Sequence, residues 1–247
     1  MSCDAIICDW NGTIIENQDE RSILESIAVD LFKKSFPWHP LRMVHILKAR
    51  KELEKYYQEE SRDAEIDFVV EMFQVYNEKI INGLAMSFIY CSIERYASRP
   101  DTHNKLDYRV LRPIDRCHRE GWNTGILSAG YGYGIQRILQ SVGYHHCFDF
   151  YEANVLRMEG EEAIGFDLNI YRNKPQRMLK LLKDRNMDES RIVYLGNSGD
   201  DAGCFELAGY PVVALLASEE LKEEYARRYN AFVPHDEADL AQYLQSL

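Results

Sequence analysis

The chain has 247 residues, 46% of them hydrophobic, enough to bury one core or a core with an inserted lid. Its net charge of −11 and pI near 5.2 argue against general binding to nucleic acid or membrane surfaces, both polyanions, so an anionic substrate must be drawn in by a local positive site. No apolar run reaches the roughly 18 residues of a membrane span and no basic leader precedes one, so a cytoplasmic protein is expected.

In chain order, residues 5–8 form a short apolar run that stops at Asp9-Trp10-Asn11-Gly12-Thr13. This spacing predicts a buried strand whose end delivers Asp9 into the crevice of an open α/β sheet, although Asp-x-Asn-Gly is also ordinary turn chemistry. Residues 16–107 are charged and helical in texture, with Ile23-Ile27-Leu31 and Phe68-Met72-Val75 at helical spacing and a break at Phe36-Pro37-Trp38-His39-Pro40. The aromatics Tyr56, Tyr57, Phe68, Phe73, Tyr76, Phe88 and Tyr90 are expected to form that region's own core, with some lining a pocket or a homodimer patch.

From residue 108 onward strands alternate with helices. Helices are predicted over 113–120, 135–142, 175–183 and 238–244, and strands over 122–127, 191–195, 212–215 and 231–233. The 122–127 strand ends at Ser128-Ala129-Gly130, Lys174 starts the helix over 175–183, and 191–195 leads into Gly196-Asn197-Ser198-Gly199-Asp200-Asp201 and a helical run to Gly209. A small insertion over 151–170 carries a hairpin tip at Met158-Glu159-Gly160-Glu161-Glu162. This alternation implies a doubly wound, mostly parallel α/β sheet with helices on both faces. A cation at a helix start is disfavoured by the helix dipole, so Lys174 calls for an anionic partner. The six cysteines, Cys3, Cys8, Cys91, Cys117, Cys147 and Cys204, lack zinc spacing and read as reduced packing residues, with Cys8 and Cys91 in apolar runs. His145 and His146 would point to opposite faces of a strand with no third ligand in view, so they are expected to be structural or surface residues.

Together, Asp9-x-x-Gly12-Thr13, Ser128, Lys174 and Gly196-x-x-x-Asp200-Asp201 resemble the haloacid dehalogenase-like hydrolase superfamily, and the smaller insertion is most similar to its phosphoserine-phosphatase-like branch. The resemblance implies a Rossmann-like core over 1–15 and 108–247 and a helical cap over 16–107. It further implies a Mg²⁺-dependent phosphatase that hydrolyses a small phosphorylated metabolite through an aspartyl-phosphate on Asp9. In that reading Asp9, the Asn11 carbonyl, Asn197, Asp200 and Asp201 hold Mg²⁺, and Thr13, Ser128, Ala129 and Gly130 bind the phosphoryl group. Lys174 bridges nucleophile and substrate, and Gly130, Gly132 and Gly134 would let backbone N–H groups approach the phosphate.

Two amides depart from the superfamily's pattern. Asn11 stands where these phosphatases usually carry the Asp that protonates the leaving alcohol and activates water, and Asn197 stands where the metal loop usually reads Gly-Asp. General acid–base catalysis is typically worth about 10²–10⁴ in rate, so alkyl phosphates should turn over slowly, aryl or acyl phosphates less so, and Mg²⁺ should bind more weakly. Two alternatives follow: a slow or non-catalytic member that binds a phosphorylated ligand or a partner, and a phosphonatase-type carbon–phosphorus hydrolase using a cap lysine among Lys33, Lys34, Lys48, Lys51, Lys55 and Lys79.

Overall fold

The computed structural model describes residues 3–16, 19–39, 44, 46–48, 51, 74–168 and 170–247. Lys55, Tyr56, Tyr57, Phe68, Met72 and Phe73 lie outside the described residues. Five parallel strands form the central sheet: β1 (Ala5–Cys8), β2 (Asn123–Tyr131), β3 (Phe150–Asn154), β6 (Ile192–Gly196) and β7 (Tyr210–Val213), in the order β3-β2-β1-β6-β7. β1 lies at the centre, with Cys8 opposite Ile126 on one side and Leu195 on the other. Its four residues are all buried because both faces of a parallel sheet are covered, which is why the segment reads as a continuous apolar run.

The two-residue period of a strand divides the interior into two cores. Ile6 and Cys8 join the side packed by α4 (Tyr108–Arg119), α5 (Gly132–Ser141) and α9 (Glu237–Gln245), where Leu111, Ile138 and Leu240 are fully buried. Ala5 and Ile7 join the opposite side with α6 (Ile170–Arg185), α7 (Ala202–Leu207) and α8 (Glu219–Tyr229), through Met178, Phe205 and Tyr225.

Several element bounds differ from expectation for local reasons. α4 starts at Tyr108 rather than 113, because the Asp107 side chain accepts from the Arg109 N–H at 3.0 Å and caps the helix, with Pro113 inside it. α5 starts at Gly132 rather than 135. β2 runs on past 127 to Tyr131, with an irregularity between Ser128 and Tyr131, so Ser128 sits in a bulge within the strand and not at its end. The expected strand over 231–233 reduces to Phe232, whose N–H donates to Pro211 O and whose C=O accepts from Val213 N, both at 2.9 Å.

The helical insertion leaves and re-enters through one paired crossing. Glu16 N donates to Lys105 O and Asp107 N to Ile14 O, each at 2.8 Å. Between these points lie α1 (Asp19–Ser35), a π-helical turn (Asn77–Ile81), α2 (Met86–Ala97) and α3 (Pro100–His103). α1 ends at Ser35, just before the Pro37 break. The insertion shares its buried surface with the α4/α5 side of the sheet: a Cβ on Gly134 of α5 would lie 2.5 Å from Ile23 of α1, and Tyr90 of α2 stacks on Tyr133 at 4.1 Å. Tyr90 thus packs against the sheet domain rather than inside the insertion, whereas Tyr76 is buried among its helices.

The hairpin of β4 (Leu156–Glu159) and β5 (Glu162–Phe166), with its tip at Gly160 (φ +63°), extends this contact. Gly83 N donates to Ala163 O and Ala163 N to Leu84 O, both at 2.8 Å, and the Asn77 amide bonds both polar groups of the Phe166 backbone. All six cysteines are free, and Cys91 faces solvent on α2 instead of packing, because its helical position turns it away from the buried Ile89 and Ile93. Among the described residues, no helix is long and apolar enough to cross a membrane.

Candidate active site

Asp9 is the first residue past β1, at the carboxyl edge of the sheet, and its N–H still donates to Leu195 O at 2.8 Å. The chain then turns tightly: Gly12 takes φ +68°, its N–H donates to Ile15 O, and Ile14 N donates to Trp10 O. A Cβ at Gly12 would lie 2.0 Å from the Asn197 amide, so this glycine answers both to the left-handed backbone and to the close approach of the loop after β6.

Lys174 reaches the same point from α6. Asn173 breaks the helical geometry there (φ −132°), which frees Lys174 to turn inward at the start of the following turns. Its ammonium lies 2.9 Å from Asp9 Oδ1 and 2.5 Å from Asp201 Oδ1, and all three side chains are buried. The anionic partner that a helix-start lysine requires is therefore a pair of carboxylates. Burial alone would lower the Lys174 pKa, but Asp201 and Asp9 outweigh it and push it up, so the ammonium stays charged. Burial pushes Asp9 up to about 6, with Lys174 opposing and Asp201 adding to the rise.

Asp201 holds the loop together. Its Oδ1 accepts from Lys174 and from the Tyr194 hydroxyl at 2.6 Å, and its Oδ2 accepts from the N–H groups of Asn197 and Ser198 and from the Ser198 hydroxyl. These donors overcome the burial penalty and hold its carboxyl below the usual range. Both Asp201 oxygens are thus engaged, and Asp201 anchors the lysine and the loop. Asp200, one residue earlier in the same 3₁₀ turn, is half-buried; burial and the neighbouring Asp201 raise its carboxyl, with Lys174 opposing.

The remaining expected residues line the same edge. Thr13, fully buried, donates to Asn197 Oδ1 at 3.2 Å, leaving that amide oxygen one lone pair. Ser128, one strand over, accepts from Gly130 N at 3.1 Å, so its own hydroxyl proton remains available to a ligand while the Gly130 N–H is turned inward within the bulge. Ala129 is fixed through its carbonyl by Asn154 Nδ2 at 2.5 Å. Asn154, Tyr194 and Ser198 are supporting residues that the sequence did not single out. Tyr194 lies inside an apolar strand run, and only its hydroxyl could have signalled a buried polar partner.

Two carboxylates, Asp9 and Asp201, flank one ammonium. Asp9, the half-buried Asp200, Asn197 Oδ1 and the backbone carbonyl of Asn11 offer hard oxygens. This donor set and its excess negative charge fit a small divalent cation such as Mg²⁺. The cap lysines Lys33, Lys34, Lys48, Lys51 and Lys79 all face solvent, and Lys34 covers the Phe88 ring at 4.9 Å, so none of these five is held in the desolvated setting that favours imine formation.

Comparison with known proteins agrees with this geometry. A family model described as "haloacid dehalogenase-like hydrolase" matches residues 6–206. No curated protein matches the sequence. Among solved structures, a phosphoserine phosphatase in a phospho-aspartyl intermediate analogue state is 16% identical, with a TM-score of 0.61 and coverage of 99% of this chain and 100% of that one. Cytosolic 5′-nucleotidase IIIB bound to cytidine is also 16% identical, with a TM-score of 0.67 and coverage of 98% and 85%. A probable phosphoserine phosphatase from Vibrio cholerae is 12% identical, at 0.63 over 99% of this chain and 67% of that one. At such identities the likeness speaks for the fold, while the family match spans most of the sequence. The chain belongs to the haloacid dehalogenase-like hydrolase family.

Proposed function

We propose that the protein is a Mg²⁺-dependent phosphatase that transfers a phosphoryl group from a small phosphorylated metabolite to Asp9 and then to water. The observation that carries this reading is the buried contact of Asp9 with Lys174 at the carboxyl edge of the sheet, with Asp201 holding the lysine from its other side. Similar folds whose names include phosphoserine phosphatase and 5′-nucleotidase support the substrate class. In the first step an Asp9 oxygen forms a bond to phosphorus while the bond to the leaving oxygen breaks. Lys174 faces the transferred group with fixed positive charge, and the Ser128 hydroxyl donates to a phosphoryl oxygen. In the second step water attacks phosphorus, the Asp9–phosphoryl bond breaks, and inorganic phosphate leaves with the carboxylate restored.

Mg²⁺, held by Asp9, the Asn11 carbonyl, Asn197 and Asp200, would supply charge neutralisation for the phosphoryl oxygens. The helical region over 16–107 acts as the cap and, with the β4–β5 hairpin, shields the reaction from water. Asn11 can neither donate a proton to an alkoxide nor take one from water, so aryl phosphates, whose leaving groups need no proton, are the preferred test substrates.

Phosphate release from an aryl phosphate, with and without Mg²⁺, tests the reading. Turnover that requires Mg²⁺ and vanishes in Asp9→Asn is expected. Turnover that persists in Asp9→Asn would overturn the assignment of the nucleophile. If neither the wild type nor Asn11→Asp releases phosphate, the fold serves phosphate-ligand binding instead.

A further inference from the structure

At the opposite end of the sheet from Asp9, near the amino ends of β2 and β3, three side chains of metal-ligating chemistry meet. The segment His145–Cys147 is a 3₁₀ turn and not a strand, so successive side chains rotate by about 120° instead of alternating, and His146 and Cys147 turn toward the same helix. There they find Asp115 of α4. His146 Nε2 lies 3.0 Å from Asp115 Oδ1, Cys147 Sγ lies 3.2 Å from the same oxygen, and the sulfur and nitrogen are 3.8 Å apart. Asp115 is the third group that the His-His-Cys stretch lacked in the sequence.

We propose that Asp115, His146 and Cys147 bind a zinc ion. Tetrahedral zinc with sulfur at about 2.3 Å and nitrogen or oxygen at about 2.0–2.2 Å sets its ligand atoms roughly 3.4–3.6 Å apart, so the triangle accepts the ion after shifts of a few tenths of an ångström. The thiol proton now shared with Asp115 is released to solvent when the sulfur binds the metal. Arg119 holds Asp115 Oδ2 at 2.6 Å and reaches Oδ1 through Nε at 3.2 Å, which fixes the carboxylate from behind as an outer partner. Cys147 and Asp115 lie inward while the His146 side chain is 55% exposed, so the fourth position opens to water. The thiolate and imidazole select zinc over Mg²⁺, while the oxygen donors around Asp9 suit Mg²⁺, so the two sites sort metals by ligand softness. A metal here staples α4 to the turn entering β3, which is already tied by the His118–Asp149 contact at 3.2 Å and by Thr124 N donating to Asp149 at 2.8 Å. The inference is independent of the proposed phosphatase activity.

Cobalt titration of the chelator-treated full chain, with Mg²⁺ in excess, tests it. A saturable thiolate-to-cobalt charge-transfer band accompanied by tetrahedral visible bands is expected in wild type. The charge-transfer band is lost in Cys147→Ser, and affinity falls at least about tenfold in His146→Ala, an exposed position whose loss leaves the fold intact. Zinc should also raise the thermal midpoint of wild type and not of His146→Ala. Absence of a thiolate band in wild type, an equal band in Cys147→Ser, or unchanged affinity in His146→Ala overturns the proposal.

Discussion

Lys174 serves two carboxylates, and the division of labour between them follows from what else each one touches. Asp201 accepts five hydrogen bonds from lysine, tyrosine, serine and the loop backbone, whereas Asp9 stands at the strand end facing the crevice. Asp201→Asn should therefore cost about 3–5 kcal/mol in urea unfolding, since it strips a buried ammonium of one partner and loosens the loop after β6. An unchanged unfolding midpoint would contradict this. Tyr194→Phe should cost about 1.5–3 kcal/mol by the same measurement, the range for a hydrogen bond to a charged group. Asp9 and Asn197 could be singled out because each follows directly on an apolar strand run, and Lys174 because a cation at a helix start calls for an anion. The part Asp201 plays in holding lysine and loop was not legible: beside Asp200 in the sequence it looked like one of a pair, and its five hydrogen bonds depend on the 3₁₀ turn that folds the loop around it.

At the scale of elements, β1, β2, β6 and β7 could be read from apolar runs, because strands buried on both faces need apolar residues at every position, whereas β3 (Phe150–Asn154), with only its two ends fully buried, fell almost wholly inside the expected insertion over 151–170 and was missed. Boundaries were harder. The cap of α4 depends on the Asp107 side chain folding back onto Arg109, and the extension of β2 depends on pairing with β3, neither of which leaves a periodic trace. The link between the insertion and the hairpin was equally invisible, since it joins residues 77 and 166 through one amide. Asn77→Ala should leave the buried N–H and C=O of Phe166 unpaired and destabilise the protein by about 2 kcal/mol in chemical denaturation. The α4–α9 contact carries a pH signature. Arg112 bonds both oxygens of Glu237 and holds its carboxyl below the usual value. A depressed folded pKa adds stability above the unfolded value, near 4.3, and loses it as pH falls through the folded one. Glu237→Gln should thus lower the thermal midpoint slightly at neutral pH, with the difference closing below about pH 4.

At the scale of the whole molecule, the doubly wound sheet brings three loops from distant parts of the sequence to one edge, and the insertion leaves and returns at that edge beside Ile15 and Leu106. That arrangement brings Asp9 and the buried Lys174 ammonium together at this edge, where the proposed function places the nucleophile and the metal, and leaves an amide at position 11. The consequence is kinetic. An aryl phosphate needs no acid to depart, but the second step lacks its usual base, so phosphorylated Asp9 should accumulate in a burst. Asn11→Asp should abolish the burst and raise steady turnover by about 10²-fold. The most direct measurement is acid-quenched single turnover with an aryl phosphate and Mg²⁺, followed by mass spectrometry of the peptide containing Asp9. The account predicts a phosphoryl adduct on Asp9 that forms faster than phosphate is released and is absent in Asp9→Asn. Phosphate release with no adduct on Asp9, or with the adduct on another side chain, would contradict it.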